Sequence, residues 1–202
     1  MIAIIDYGVG NLFSLKSSFS AIGVDAIITN NPEEIRLADR LILPGVGAFF
    51  DARDKLYKSG LDVVLKEEIK KGKPIMGICL GMQLLFEKSY EFGEYEGLGL
   101  IPGEVVPFKG KISDEYRIPQ IGWNSLKVKD NCPLYKGIKS GEYVYFVHSY
   151  YADCDDKYKS AVSEYGIEFT ASVMKDNVFG CQFHPEKSGE IGLRILKNFS
   201  EV

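Results

Sequence analysis

The sequence predicts an α/β fold, a parallel sheet with helices on both faces extended by antiparallel strands, and three observations carry that prediction. Short apolar runs alternate with helically spaced apolar residues through the first half, in βαβα order, which is the pattern of a covered parallel sheet. After residue 98 the chain turns to short strand-like segments separated by turn signals. No linker-like stretch divides the halves, so the later strands are expected to add to the first sheet within one domain spanning residues 1–202.

Element by element, Ile2 to Ile5 reads as a strand, followed by the glycine-containing turn Tyr7-Gly8-Val9-Gly10-Asn11. Leu12, Leu15, Phe19 and Ile22 then recur at helical spacing, with Asn11 as the expected N-cap and Gly23 as the stop. Two glycines without a third make this a tight turn rather than a phosphate cradle. Residues 24–28 are a second strand, Asn31-Pro32-Glu33-Glu34 a capped helix start, and residues 41–43 a third strand. Leu61, Val64, Leu65, Glu68 and Ile69 mark an amphipathic helix ending at Gly72. The uncharged stretch 74–86 divides into a buried strand and a helix that starts just after Cys79. Residues 87–97, acidic and without an apolar period, read as a solvated loop. Strands are expected at 98–101, 105–108, 118–123, 143–151, 160–164, 169–173 and 178–183, and a last amphipathic helix uses Ile191, Ile195, Leu196 and Phe199.

Composition narrows the function. With 202 residues, 46% hydrophobic and 26% charged, the chain can bury a substantial core. A formal charge of −4 without basic runs argues against a nucleic-acid surface. The longest uncharged stretch is too short to span a bilayer, and the opening strand lacks a basic n-region, so a cytoplasmic protein is expected. The four cysteines are far apart, with no Cys-x-x-Cys pair, so neither a metal site nor a disulfide framework is indicated.

Cys79 stands out for its position. It sits where strand meets helix, with Gly77 and Gly81 two residues to either side, the spacing of a nucleophile held on a sharp turn. A helix N-terminus beneath a thiol favours its thiolate through the unpaired N–H groups of the first turn. The turn Pro44-Gly45-Val46-Gly47-Ala48-Phe49 follows the third strand, beyond the carboxyl end where open α/β sheets place ligands, and can supply N–H donors to an oxyanion. His184-Pro185-Glu186 supplies a base and a carboxylate; in extended backbone residues two apart share a side, so Glu186 can orient His184. Cys79, His184 and Glu186 thus make a complete nucleophilic set.

Gly77-Ile78-Cys79-Leu80-Gly81-Met82-Gln83 together with Phe183-His184-Pro185-Glu186 resembles the class I (triad) glutamine amidotransferases, across the whole chain. More narrowly, Pro44-Gly45-Val46-Gly47-Ala48-Phe49, Ile118-Pro119-Gln120-Ile121-Gly122-Trp123-Asn124, Tyr145-Phe146-Val147-His148-Ser149-Tyr150 and Lys187-Ser188 resemble the glutaminase subunits of imidazole glycerol phosphate synthases. The resemblance implies a flavodoxin-like three-layer α/β/α sandwich with a mixed, mainly parallel sheet. It implies a (β/α)8-barrel partner that uses the released ammonia in histidine biosynthesis, and no cofactor. By residue, it implies that Cys79 attacks the side-chain amide of glutamine, that His184 protonates the departing ammonia and then activates water, and that Glu186 holds His184. Leu80 and the turn Gly45, Val46 and Gly47 become the oxyanion donors, and Gln83, Ser149 and Tyr150 hold glutamine. His148 lies near substrate outside the triad, and Trp123 and Asn124 face the partner, although by frequency alone a lone tryptophan is more often a core aromatic.

The family segment usually reads Pro-His-Met-Gly-Trp-Asn where this chain has Gln120 and Ile121, and an arginine common before Phe108 is Pro107. These departures spare the triad and bear on which synthase receives the ammonia, the alternative being a paralogue that feeds a sugar-modifying amidotransferase. A Cys-His peptidase and a non-catalytic regulatory relative are the readings from other classes, the latter disfavoured by the complete triad.

Overall fold

β1 (Ile2–Ile5) alternates between two cores: Ile2 and Ile4 face one side of the sheet, Ala3 and Ile5 the other. A strand buried on both faces needs an apolar residue at every position, which is what its sequence supplies. In the computed structural model, which describes residues 1–129 and 131–202, α1 (Leu12–Ala21) covers the first face with Leu15 and Phe19. β2 (Ala26–Thr29) lies parallel to β1 at the sheet's end, and α2 (Pro32–Leu37) covers the second face with Ile35. Asn31 caps α2 as expected, accepting from the Glu33 N–H at 3.0 Å. Asn11 sits at the N-cap position of α1 but makes no side-chain cap bond, which corrects that expectation.

β3 (Arg40–Leu43) pairs with the other edge of β1, and α3 (Phe49–Lys58) and α4 (Leu61–Lys70) add to the second face. α3 buries only Phe49, Ala52 and Leu56, too thin a stripe to have been read as a helix. β4 (Ile75–Ile78) completes the parallel order β2-β1-β3-β4 and enters α5 (Leu80–Leu84), a single short turn of helix.

Two parts of the second half differ from the expected pattern. Residues 87–97 are not simply a loop: β5 (Phe86–Ser89) and β6 (Tyr95–Glu96) pair there, and only Phe86 and Ser89 of β5 turn inward, so no period is legible. β7 (Ile101–Pro107) unites the two short strands expected at 98–101 and 105–108, while 98–100 stay outside it, tied through their N–H groups to Leu84, Phe86 and Leu85 carbonyls. β8 (Gln120–Ser125), β9 (Lys127–Val128) and β10 (Tyr143–His148) follow. The run 143–151 is two strands, because the chain leaves β10 at Ser149 and enters β11 (Tyr150–Asp153) in a different sheet.

β12 (Lys159–Glu164), β13 (Glu168–Lys175) and β14 (Val178–Cys181) complete the strands. β14 lies parallel to β4, and β13 and β11 continue antiparallel to β7, so the added strands extend the first-half sheet. β8 and β10 form a separate two-stranded sheet. α6 (Gly189–Phe199) packs Ile195, Leu196 and Phe199 beside α1, so α1 and α6 form one layer, the sheet the second, and α2, α3 and α4 the third. Among the described residues no helix is long and apolar enough to cross a membrane.

Candidate active site

Cys79 joins β4 to α5 with φ 55° and ψ −112°, a conformation that costs a residue with a Cβ about 1–3 kcal/mol. Its neighbours hold it there. The Cys79 N–H donates to the Cys181 carbonyl of β14 at 2.8 Å, and a Cβ on Gly81 would stand 1.9 Å from the Leu43 carbonyl oxygen. A Cβ on Gly77 would stand 2.6 Å from the Gly81 oxygen, so the glycine spacing reflects backbone packed on backbone.

His184 follows β14 and is fixed on three sides. Its N–H donates to the Tyr145 carbonyl at 2.9 Å, its carbonyl accepts from Ser188 Oγ at 2.6 Å, and its Nδ1 meets Glu186 Oε1 at 2.9 Å. The sequence predicts that Glu186 reaches the ring along extended backbone, and the structure corrects this. Pro185 opens a 3-10 turn, Pro185–Lys187, that folds the carboxylate back beneath His184. Burial opposes charging the imidazole, but hydrogen-bonding and charge interactions with Cys79 and Glu186 outweigh it and raise His184 to about 10. Nε2 forms no full hydrogen bond of its own, nor does Glu186 Oε2. At neutral pH the ring is an imidazolium between the Cys79 sulfur and the Glu186 carboxylate. Burial pushes up Cys132, Cys154 and Cys181.

Cys79 and His184 line a cleft of about 290 Å³. On one side stand Val46, Gly47 and Leu80, whose N–H groups make no hydrogen bond among the described residues. Gly45 is not at the cleft surface; a Cβ there would stand 2.6 Å from the Gly81 nitrogen, so this glycine permits the turn to lie on the elbow. Tyr7 braces the same turn, donating to the Pro44 carbonyl at 2.6 Å. Gln83, Ser149 and Tyr150 also line the cleft.

Glu91 also lines the cleft and was hidden in the acidic stretch read as loop. Its Oε2 accepts from the Phe49 N–H at 2.5 Å, and burial raises its pKa. Nothing local in the sequence separates it from Glu87, Glu94 or Glu96; its position depends on the pairing of β5 with β6.

His148 is buried, and burial, with the neighbouring His184 charge, lowers it to about 4, so it is neutral. Nδ1 donates to the Tyr150 carbonyl at 2.8 Å, which leaves Nε2 an acceptor facing the Gln120 side chain at 3.0 Å. Gln120 therefore presents its NH2 to the ring. At 3% exposure Gln120 is interior and does not itself face a partner, whereas Ile121 is exposed. Trp123, 55% exposed, is not a core residue; it meets Tyr145 edge-on at 6.1 Å on the open face of the two-stranded sheet. Asn124 spends its side chain internally, donating to the Glu164 carbonyl at 2.6 Å and accepting from the Ser125 N–H.

Residues 3–202 match the family model for glutamine amidotransferase class-I. A protein of Caldanaerobacter subterraneus named imidazole glycerol phosphate synthase subunit HisH is 57% identical, the alignment covering 100% of this chain and 98% of that protein. A protein of the same name from Wolinella succinogenes is 50% identical with both chains fully covered. Among solved structures, one described as a glutamine amidotransferase superposes with a TM-score of 0.77 at 18% identity over 100% of both chains. PurLQS from Thermotoga maritima does so at 0.75 and 20% identity, over 99% of this chain and 97% of that one.

Proposed function

We propose that this chain, which belongs to the class-I glutamine amidotransferase family, is the glutaminase subunit of a cytoplasmic imidazole glycerol phosphate synthase, with residues 1–202 acting as one amidotransferase domain. The observation that carries the reading is Cys79, held at positive φ in a cleft that it shares with a charged His184 backed by Glu186.

Chemistry follows from those positions. The Cys79 sulfur attacks the side-chain amide carbon of glutamine, and negative charge develops on the amide oxygen opposite the free N–H groups of Val46, Gly47 and Leu80. Each such donor is worth roughly 3 kcal/mol in the transition state. His184, already an imidazolium, gives its proton to the leaving nitrogen, the C–N bond breaks, and ammonia departs. The neutral ring then takes a proton from water, whose oxygen attacks the thioester carbon; the C–S bond breaks and glutamate leaves. Glu186 keeps Nδ1 donating, so that Nε2 faces the reacting atoms in both steps. Glu91 suits the substrate's α-ammonium, Ser149 and Tyr150 hold the remainder of its amino-acid end, and Gln83, whose amide hydrogens are directed at Tyr150 and Gln182, offers the substrate its side-chain oxygen.

Ammonia freed into water near neutral pH becomes ammonium, which is no nucleophile, so a partner must receive it directly. We assign that role to a (β/α)8-barrel subunit docked on the open face carrying Trp123. Of the adjacent departures from the family pattern, Gln120 lies inside, against His148, and Ile121 alone alters the outer face, which weakens the case for a sugar-modifying partner. The test is complementation, on medium lacking histidine, of a strain without this subunit, supplying the barrel subunit encoded beside the gene. Growth is expected with the parent chain and absent with Cys79→Ala. No growth with either, together with glutamine-dependent amidation of a nucleotide sugar, would falsify the assignment.

A further inference from the structure

Gln182 belongs to neither the triad nor the oxyanion turn, yet its fully buried side chain reaches the nucleophile. A buried primary amide must satisfy both its oxygen and its nitrogen, and the surrounding partners fix which points where. The backbone carbonyl of Tyr150 can only accept, so the Gln83 atom 3.1 Å from it is Nε2. That nitrogen's second hydrogen is directed at the Gln182 atom 3.0 Å away, which is therefore Oε1. Nε2 of Gln182 is left facing Cys79 Sγ at 3.7 Å. His148 donates to the same Tyr150 carbonyl at 2.8 Å, holding the start of this chain of bonds in place.

We infer that Gln182 is a positioning residue for the reaction: its side-chain N–H, aimed by Gln83, hydrogen-bonds the Cys79 sulfur whenever that sulfur carries negative charge and holds it in line with the substrate carbon. The inference rests on Cys79 being the nucleophile and adds to it the group that keeps the nucleophile charged and aimed.

Two polar groups besides His184 bear on the sulfur, and they act in opposite senses. The Val147 carbonyl, 3.9 Å away, can accept from S–H and so favours the neutral thiol. Of these two, the Gln182 N–H is the one that favours the thiolate. The titratable groups facing the sulfur are His184, Tyr7 and Cys181. Burial pushes Tyr7 and Cys181 up, so both stay neutral and neither substitutes for Gln182. The same N–H serves twice in a turnover. It steadies the thiolate before attack, and it receives the charge again when the thioester C–S bond breaks and sulfur leaves with the electron pair.

The experiment compares the parent with Gln182→Met, similar in length and without a donor. Iodoacetamide alkylation of Cys79 is followed from about pH 6 to 10, since only the thiolate reacts. The variant is expected to react about tenfold more slowly near neutral pH, the effect of losing a hydrogen bond to a charged acceptor, and within about twofold of the parent at the alkaline limit. An equal deficit at every pH, or none, overturns the inference, because altered packing would act independently of ionisation. Should the variant fail to fold, the parent decides: labelled with ¹⁵N, its Gln182 side-chain amide proton should move downfield as Cys79 ionises and stay still in Cys79→Ala. An amide signal indifferent to Cys79 overturns the inference equally. Neither readout uses glutamine, so glutamine turnover by the parent tests the enzymatic reading separately.

Discussion

Glu186→Gln keeps the shape of the side chain and removes the charge that meets His184 Nδ1 at 2.9 Å. His184 titrates at about 10 in the folded protein against 6.5 for the free side chain. A raised folded value means that the contribution is fully present below pH 6.5 and disappears as pH climbs through about 10. At about 1.4 kcal/mol per unit, the interval corresponds to roughly 5 kcal/mol, shared between Cys79 and Glu186. Glu186 supplies part of that, and losing one hydrogen bond to a charged group typically costs about 2 kcal/mol. Urea unfolding of parent and variant from about pH 6 to 10 should show a gap of that size at the acid end, closing toward the alkaline end. Glutamine turnover near neutral pH should fall by roughly 10² to 10⁴, as expected for an imidazole that has lost its orienting carboxylate. A stability gap that stays constant with pH would mean that Glu186 acts through packing alone, and the ion-pair reasoning would be refuted.

Gly81→Ala places a Cβ 1.9 Å from the Leu43 oxygen, backbone that cannot yield without moving β3 or the elbow. A loss of about 1–3 kcal/mol in unfolding free energy is expected, with a larger proportional loss of turnover because the nucleophile shifts; normal kinetics would contradict it. Trp123→Ala should weaken docking of the barrel partner by about 2 kcal/mol, measured by titration calorimetry. The isolated subunit should keep its melting temperature, since the ring is 55% exposed. A variant that melts early and binds normally would show that Trp123 serves stability. Glu91→Gln should raise KM for glutamine about tenfold or more and change kcat little, the mark of uniform binding lost; a fall in kcat alone would remove Glu91 from the α-ammonium site.

What the sequence made legible was local. The elbow at Cys79 could be read because its requirements, a strand, two glycines at fixed spacing and a helix start, lie within a few residues. His184 and Glu186 could be paired for the same reason, although the 3-10 turn that brings them together could not. What stayed hidden depended on strands far apart in the chain. The inward turn of Gln120 follows from its register against His148, and the break at Ser149 from which sheet each half of the run 143–151 joins. Glu91 needed β5 and β6 to pair, and Gln182 needed Gln83, ninety-nine positions earlier, to fix its orientation. Trp123 was ambiguous for a related reason. Core and surface aromatics look alike until the face of the strand is known.

Tyr145 shows how the face proposed for docking bears on the base. Its N–H donates to Ser188 Oγ and its carbonyl accepts from His184, so both backbone groups point away from β8. Opposite Trp123, Tyr145 is therefore a non-hydrogen-bonded pair, the arrangement that brings side chains closest, and the two rings meet edge-on. One residue thus meets Trp123 with its ring and holds the segment carrying His184 with its backbone. Cys79, by contrast, is tied through its N–H to β14 in the main sheet. A partner seated on Trp123 and Tyr145 consequently bears on His184 through one peptide unit, while the nucleophile answers to a different sheet. Coupling between docking and turnover is then expected to appear in the steps where His184 moves a proton, and much less in the reactivity of Cys79 toward a neutral alkylating agent.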